Sequence, residues 1–377
     1  MNISTTPPKP GMHSRPYDRI AVIGGGSWGT ALACVAATAG RDVCLYSRNV
    51  EVARSIDAEH RNPAYLPDVA LPPTLTATSD MAAALASADA VMLVVPSRSV
   101  RAGAAEVAPH LAPGIPVAVC TKGIEPGSGL LMTQVVEEEL PDAVLGAISG
   151  PTFARETALA HPTAAVVAFP FSYLDRLNPH DSPAARFAHS MSTASFQTYI
   201  SDDLVGVEIG GAVKNVVAIA CGMMTGAGFA ENTRAALITR GMDEMKALAE
   251  ALGGRRETVT GLSGAGDLTL TCSSDTSRNM SLGTQLGRGT PRNECFGGKP
   301  VVVEGEANAT SVIDLARRVG VSMPICETVN AVLDGRAALR QAFHDLWTRP
   351  IEGEPRALDI SLANPVQSGH VAPVENT

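Results

Sequence analysis

The chain has 377 residues, of which 45% are hydrophobic and 18% charged, and a formal net charge of −9. This length and balance describe a globular protein of two domains, not a disordered one, and the negative charge argues against a general nucleic-acid binder, whose phosphate contacts need a basic surface. Seven cysteines without a CxxC pair fit reduced, packed thiols rather than a disulfide framework or a metal site.

The opening segment is polar and proline-rich without an apolar core, so residues 1–17 are expected to be a flexible leader and not a secretory signal. Arg19–Ile23 is a short apolar strand that runs directly into GGGSWG. Ser27–Ala39 is alanine-rich and helical in pattern, Gly40 ends it, and Asp42–Tyr46 is a second strand. Together they make a βαβ unit. Further strands are expected at Ala90–Val95, Val117–Cys120, Ala143–Ile148 and Thr163–Ala168, with helices between them. That alternation implies a mostly parallel sheet covered on both faces.

The Pro-, Ser- and His-containing stretch Leu177–Pro183 reads as a surface excursion of this first domain. From about Asp202 helical periodicity takes over: Val207–Met224, Asn232–Leu252, Ser277–Gly287, Glu306–Val319 and Ile325–Asp334, with Gly253-Gly254 and Gly264–Gly266 as punctuation. The change sets a boundary within Gln197–Asp203, giving a first domain over 18–200 and an all-α second domain over 201–348; residues 349–377 are expected to be a loose tail. No run of 18 uncharged apolar residues occurs, because Lys214 interrupts the nearest approach to one. A cytoplasmic protein with no integral membrane segment is therefore expected.

Gly24, Gly26 and Gly29 form GxGxxG between a strand and a helix, the context that gives this pattern meaning. It points to a Rossmann-like, doubly wound dinucleotide-binding domain, with the pyrophosphate at the helix N-terminus. The competing account is a glycine-rich turn that binds nothing. The second strand ends Tyr46-Ser47-Arg48, with no acid to hold the ribose hydroxyls of NAD. An arginine there suits the 2′-phosphate of NADPH, with NADH possible, and Asn49 could assist. Pro96 closes another strand and is expected beside the cofactor.

Lys214 lies in VEIGGAVKNVVAIACGMM, a helix that reads as buried. An enclosed lysine loses the solvation of its ammonium form, so it can accept a proton near neutrality; the alternative is a lysine whose stem snorkels to solvent. Nothing nearby in sequence neutralises it, and Glu208 falls on another face. Lys122 closes a strand before a glycine, where open α/β sheets bind ligands. Ser149-Gly150-Pro151-Thr152 offers backbone N–H groups and a hydroxyl to an anion. Asp267 follows a glycine turn and opens a short helix, a place where an aspartate is often only a cap. Ser277-Arg278-Asn279 combines a hydroxyl, a forked guanidinium and an amide, the kit for a phosphate monoester, although the same trio can simply start a helix.

Taken together these stretches resemble the bacterial-type NAD(P)-dependent glycerol-3-phosphate dehydrogenases. The matching segments are GGGSWGTALA, NPAYLPDVALP, VVPS, TKGIE, SGPTFARE, GVEIGGAVKNVVAIACG, AALITRGMDEMKALAEALGG, ETVTGLSGAGDLTLTCSS, SRNMSLG and VVVEGEANA, in one order over roughly Ile20–Val332. The resemblance implies a cytoplasmic enzyme, expected as a homodimer, that interconverts dihydroxyacetone phosphate and glycerol 3-phosphate and feeds phospholipid synthesis. It implies that Lys214 is the proton donor and acceptor, and that Lys122 contacts substrate and cofactor. Lys122, with Asp267 as its partner carboxylate, would hold and polarise the reacting oxygens as part of the catalytic set. Asp267, Ser277, Arg278, Asn279, Gly150 and Thr152 would bind substrate, together with the two lysines. Ser27, Trp28, Arg48, Tyr65, Ala154, Val302 and Glu304 would bind cofactor, with Arg278 reaching it as well. The leader and tail have no counterpart in the resemblance, and Thr225 stands where an acid is usual. A hydroxy-acid or sugar-acid dehydrogenase of the same plan, and a catalytically silent NADPH-binding module, are the competing readings.

Overall fold

Eight short strands form one sheet in the computed structural model, which describes residues 14–354 and 358–367. In chain order they are β1 (Arg19–Ile23), β2 (Asp42–Tyr46), β3 (Leu75–Thr78), β4 (Ala90–Leu93), β5 (Pro116–Val119), β6 (Val144–Ser149), β7 (Thr163–Ala168) and β8 (Phe196–Ser201). Across the sheet they run β8-β7-β6-β5-β4-β1-β2-β3. All pairs are parallel except β6–β7. The central strands β4 and β5 are buried at every position, which is why they read as continuous apolar runs. Helices α1 (Ser27–Thr38) and α2 (Val50–Glu59) follow the first two strands, and α3 (Met132–Glu139) lies between β5 and β6.

Two edge strands escape the apolar pattern. β3 and β8 each expose part of one face, so LTAT and FQTYIS carry a mixed signal. The stretch expected as a surface excursion is shorter than it reads. Ser182 caps a helix, Pro183–Met191, whose Phe187 stacks on Phe169 and meets the ring of Tyr17 edge-on. Tyr17 is therefore part of the first domain's core and not of a leader; residues 1–13 lie outside the described residues.

After Ser201 the chain is helical: α4 (Leu204–Gly226), α5 (Glu231–Ala251), α6 (Asp267–Cys272), α7 (Arg278–Gly287), α8 (Glu304–Arg318), α9 (Pro324–Leu333) and α10 (Leu339–Trp347). Helices α4, α5, α7, α8 and α9 begin and end within three residues of the sequence expectation. Helix α4 is the axis, with every residue from Val207 to Met224 buried. It is long and apolar enough to cross a membrane, but 89% of its apolar window is covered by protein. Glycines on α4 and α7 let the two backbones touch: a Cβ on Gly222 would stand 2.2 Å from the Met280 carbonyl oxygen, and one on Gly283 2.2 Å from that of Ile219. Beyond α10, Ile351–Glu352 and Ser361–Leu362 pair as an exposed antiparallel ribbon, tied to α5 by Arg240 and Glu352, where a loose tail is expected.

The two parts are interlocked. Ile124 and Leu131, from the loop after β5, are buried in the core of the helical domain. At the far end of α8, Arg318 donates to the carbonyls of Gly127 and Ser128 in that same loop.

Candidate active site

The glycine turn joins β1 to α1 at the carboxyl edge of the sheet, next to the end of β4. Gly24 has φ +130°, and a Cβ on it would lie 2.1 Å from the Val94 carbonyl oxygen; a Cβ on Gly29 would lie 1.9 Å from the Gly24 oxygen. Only glycine permits this packing of turn, helix and strand. Gly26 is different, since nothing lies within 4 Å of where its Cβ would be. It is the N-cap of α1 and no side chain caps that helix. Open space therefore meets uncompensated N–H groups and the positive end of a helix, which suits a pyrophosphate.

The buried Asn62 amide donates to the Gly25 carbonyl at 3.0 Å and to Thr30 Oγ1 at 2.8 Å, fastening the turn. Ser27 donates to the Tyr65 carbonyl at 3.3 Å, and Trp28 packs on the first domain's core. Arg48, Tyr65 and Pro96 are exposed at the rim, and Ala154 opens a short helix after β6. Asn49 is occupied otherwise: its Oδ1 accepts from the N–H groups of Glu51 and Val52 and caps α2.

A second cluster spans both domains. Lys122 follows β5, and its Nζ donates to Asp267 Oδ2 at 2.5 Å and to the Gly150 carbonyl at 3.2 Å. Lys214, on α4, donates to Asp267 Oδ1 at 2.9 Å and to Thr271 Oγ1 at 2.8 Å. One carboxylate thus holds two ammonium groups, and the snorkelling alternative fails because Lys214 is only 7% exposed. Burial lowers the Lys214 pKa below the ordinary lysine value; Asp267 opposes this and Lys122 adds to it. Burial alone would raise the Asp267 carboxyl, but the two lysines outweigh it and hold it below the usual carboxylate range.

Asp267 does not cap its helix; its oxygens are spent on Lys122 and Lys214, so of the two accounts the sequence offers it is the partner carboxylate that fits. The sequence reading misses a neighbour of that carboxylate. Thr271, one turn along α6 from Asp267, closes the cluster. The spacing of four between Asp267 and Thr271 is the signal that could have revealed it. Thr152 donates back to the Gly150 carbonyl at 3.2 Å, and Ser149 Oγ is buried without a partner among the described residues.

The Ser277-Arg278-Asn279 trio starts α7. Ser277 Oγ accepts from Met280 N–H and serves as the N-cap. Asn279 donates to Asn215 Oδ1 at 2.7 Å and accepts from Gly305 N–H at 2.9 Å, while Asn215 reaches Glu304 at 3.3 Å. The amide next to Lys214 therefore ties α4, α7 and α8 together. Two of the three expected phosphate ligands are thus partly committed to internal bonds, and Arg278 remains exposed at the helix start. Val302 is exposed just before α8 and Glu304 opens it.

Two family profiles cover this architecture: the NAD-dependent glycerol-3-phosphate dehydrogenase N-terminus over residues 19–173 and the C-terminus of the same enzyme over 203–344. The chain belongs to this family. It is 46% identical to a glycerol-3-phosphate dehydrogenase [NAD(P)+] of Maricaulis maris, covering 89% of this chain and 97% of that one. The corresponding Rhodospirillum rubrum protein is 47% identical over 89% of this chain and 94% of its own. Among solved structures, a glycerol-3-phosphate dehydrogenase of Coxiella burnetii superposes with a TM-score of 0.79 at 36% identity, covering 90% of this chain and all of that one. The dehydrogenase fold is accordingly a Rossmann-like sheet followed by a helical domain, as the sequence pattern and the resemblance imply.

Proposed function

We propose that this dehydrogenase reduces dihydroxyacetone phosphate to sn-glycerol 3-phosphate, reversibly, with Lys214 as the proton donor and acceptor. The observation that carries the assignment is a lysine enclosed on a core helix, sharing Asp267 with Lys122 at the carboxyl edge of the sheet. The open backbone at Gly26 and the uncapped start of α1 fit a dinucleotide, and Arg48 at the rim, with no acid beside it at the strand end, favours NADPH while leaving NADH usable. When bound, the reduced nicotinamide supplies the hydride.

The chain's own groups do the rest. Lys214 gives its proton to the oxygen that becomes the hydroxyl, and takes it back in the reverse direction. Lys122 polarises that oxygen, held in place by Asp267 and the Gly150 carbonyl. Thr271 fixes the Lys214 amine so that its transferable proton points out of the cluster. Arg278 grips the phosphate, with Asn279 contributing its remaining N–H and Thr152 its hydroxyl, so that binding energy remote from the reacting carbon orients it. All seven cysteines are free and six are buried, which supports a reducing cytoplasm. Supply of glycerophospholipid synthesis and assembly as a homodimer complete the proposal.

The test is nucleotide oxidation with dihydroxyacetone phosphate, comparing wild type with Lys214→Ala and Arg278→Ala. Lys214→Ala is expected to lose about 10²- to 10⁴-fold in kcat, and Arg278→Ala to raise chiefly the KM for the phosphorylated substrate. Near-normal turnover in the first variant would remove the acid–base assignment, and an unchanged KM in the second would remove the phosphate grip.

A further inference from the structure

Glu208 is a buried acid that the chemistry above leaves unused. It lies on α4, on the same helix as Lys214, yet its carboxylate is directed to the other domain. Oε1 accepts from the backbone N–H of Thr133 at 2.9 Å, and Oε2 from the Thr133 hydroxyl at 2.5 Å. Thr133 is in the first turn of α3, whose N-cap is the apolar Leu131. A leucine side chain cannot satisfy the open N–H groups of a helix start, so the cap is supplied from across the domain seam.

Two attachments therefore join the same two pieces of chain. At one, Lys214 of α4 meets Lys122 through Asp267; at the other, Glu208 of α4 meets Thr133. Lys122 and Thr133 stand at opposite ends of one loop, which is drawn closed by a bridge between Ile124 and Leu131. Within the helical domain α4 is already fixed by its packing on α7 and by the bonds of Asn215, so what the second attachment adds is the placement of α4 against the loop that carries Lys122. We propose that Glu208 is a positioning residue: by capping α3 from α4 it sets the depth and rotation of α4, so that Lys214 and Lys122 converge on one carboxylate. The inference rests on the assignment of Lys214 as proton donor and acceptor.

The contact is made by hydrogen bonds and not by an ion pair. Among the described residues no charged side chain contributes to the shift of Glu208: Glu137, Glu138 and Glu139 sit at the far end of α3, and Lys214 is turned to another face of α4. Burial pushes its carboxyl up to about 7 in spite of the donors from Thr133 and Met132. A glutamine could satisfy the same two groups of Thr133 with no charge to desolvate.

The experiment compares Glu208→Ala and Glu208→Gln with wild type in kcat, KM for dihydroxyacetone phosphate, the Kd of NADPH and the pH profile of reduction. Misplacement of a reacting group by about 1 Å can cost up to a hundredfold in rate. Glu208→Ala is therefore expected to lose about ten- to a hundredfold in kcat while the NADPH Kd changes little. Its alkaline limb should move up towards the ordinary lysine value as water reaches the loosened cluster. Glu208→Gln, which keeps an acceptor for the N–H and a donor for the hydroxyl, should restore both. A Glu208→Ala enzyme with a lower Tm but unchanged kcat and limb would overturn the inference. Should that variant not fold, Thr133→Ala removes one of the two bonds, and the same displacement of the limb, in smaller measure, is required of it. The two readings fail separately: turnover retained by Lys214→Ala removes the acid–base assignment, whereas turnover lost there but unchanged in Glu208→Ala removes only the positioning role.

Discussion

A side chain can give and take the same proton only if its two forms lie close in free energy at the working pH. An exposed lysine fails this by several powers of ten, since its pKa is about 10.4. Enclosure moves it in the direction needed, and the opposed influences on Lys214 are visible one by one: burial and Lys122 push the ammonium towards losing its proton, and Asp267 holds it back. The direction of the shift fixes a pH prediction. In the proposed role reduction needs Lys214 protonated and oxidation needs it neutral, so as pH rises through its lowered pKa the reduction rate should fall while the oxidation rate climbs. Single-turnover rates measured in both directions across pH check this, and two curves moving the same way would exclude Lys214 as the shared group. Asp267→Asn would leave the buried ammonium of Lys214 facing the part-buried one of Lys122; breaking a buried pair costs about 3–5 kcal/mol, so denaturant unfolding should show a loss of that order along with loss of activity. Lys214 itself is legible in the sequence because its neighbours announce burial. Its partner is not, because Asp267 is 53 positions away and only the fold brings the two together.

Helices of the second domain announce themselves by periodicity, and the central strands by unbroken apolar runs. Elements at the rim do not. β3 and β8 each have one neighbour and a partly wet face, so packing no longer dictates their composition, and the helix Pro183–Met191 is masked by the polar turn that precedes it. The contact between α4 and α7 shows what spacing does encode: Gly222 and Gly226 on one helix face Gly283 and Gly287 on the other, one turn apart in each. Because the atoms blocking a new side chain there are backbone carbonyls, they cannot rotate away. Gly222→Val should therefore destabilise the protein by at least about 2 kcal/mol, measured as a shift in the urea midpoint at constant slope. The cap between α4 and α3 has a pH signature of its own. Glu208 has a folded pKa raised to about 7 against an ordinary 4.5, so the folded state binds more protons than the unfolded one between those values. Stability contributed by this group is present at acid pH and lost as pH rises through that window. Glu208→Gln, which lacks the titration, should gain on wild type over the same window, and a constant difference from pH 4.5 to above 7 would show that the carboxyl is not perturbed.

At the scale of the molecule, the sheet and the helical bundle share their apolar interior. Ile124 and Leu131 leave the first domain to pack among the core residues of the second, and Glu208 and Arg318 bind the flanks of that same loop from the helical side. None of this is visible as a pattern, since the loop reads simply as the connection between a strand and a helix; its apolar residues have no periodicity of their own and find their partners more than seventy positions downstream. An interior held in common implies that neither part unfolds without the other. The chain carries its own reporters, for it has two tryptophans, Trp28 beside the glycine turn and Trp347 at the end of α10. Trp28→Phe leaves a signal from the helical domain alone and Trp347→Phe a signal from the sheet domain alone. Denaturant curves of the two variants should share a single midpoint and slope, apart from any small offset that each substitution causes in circular dichroism as well. Leu131→Ala, which empties a site in the shared core, should cost about 2–5 kcal/mol and move both fluorescence transitions together. If the Trp347 signal shifted alone while the Trp28 signal stayed in place, the seam would be a surface between two independently stable domains, and the register of Lys122 against Lys214 would have to be held by polar bonds across it, those of Asp267 and Glu208, without a shared core.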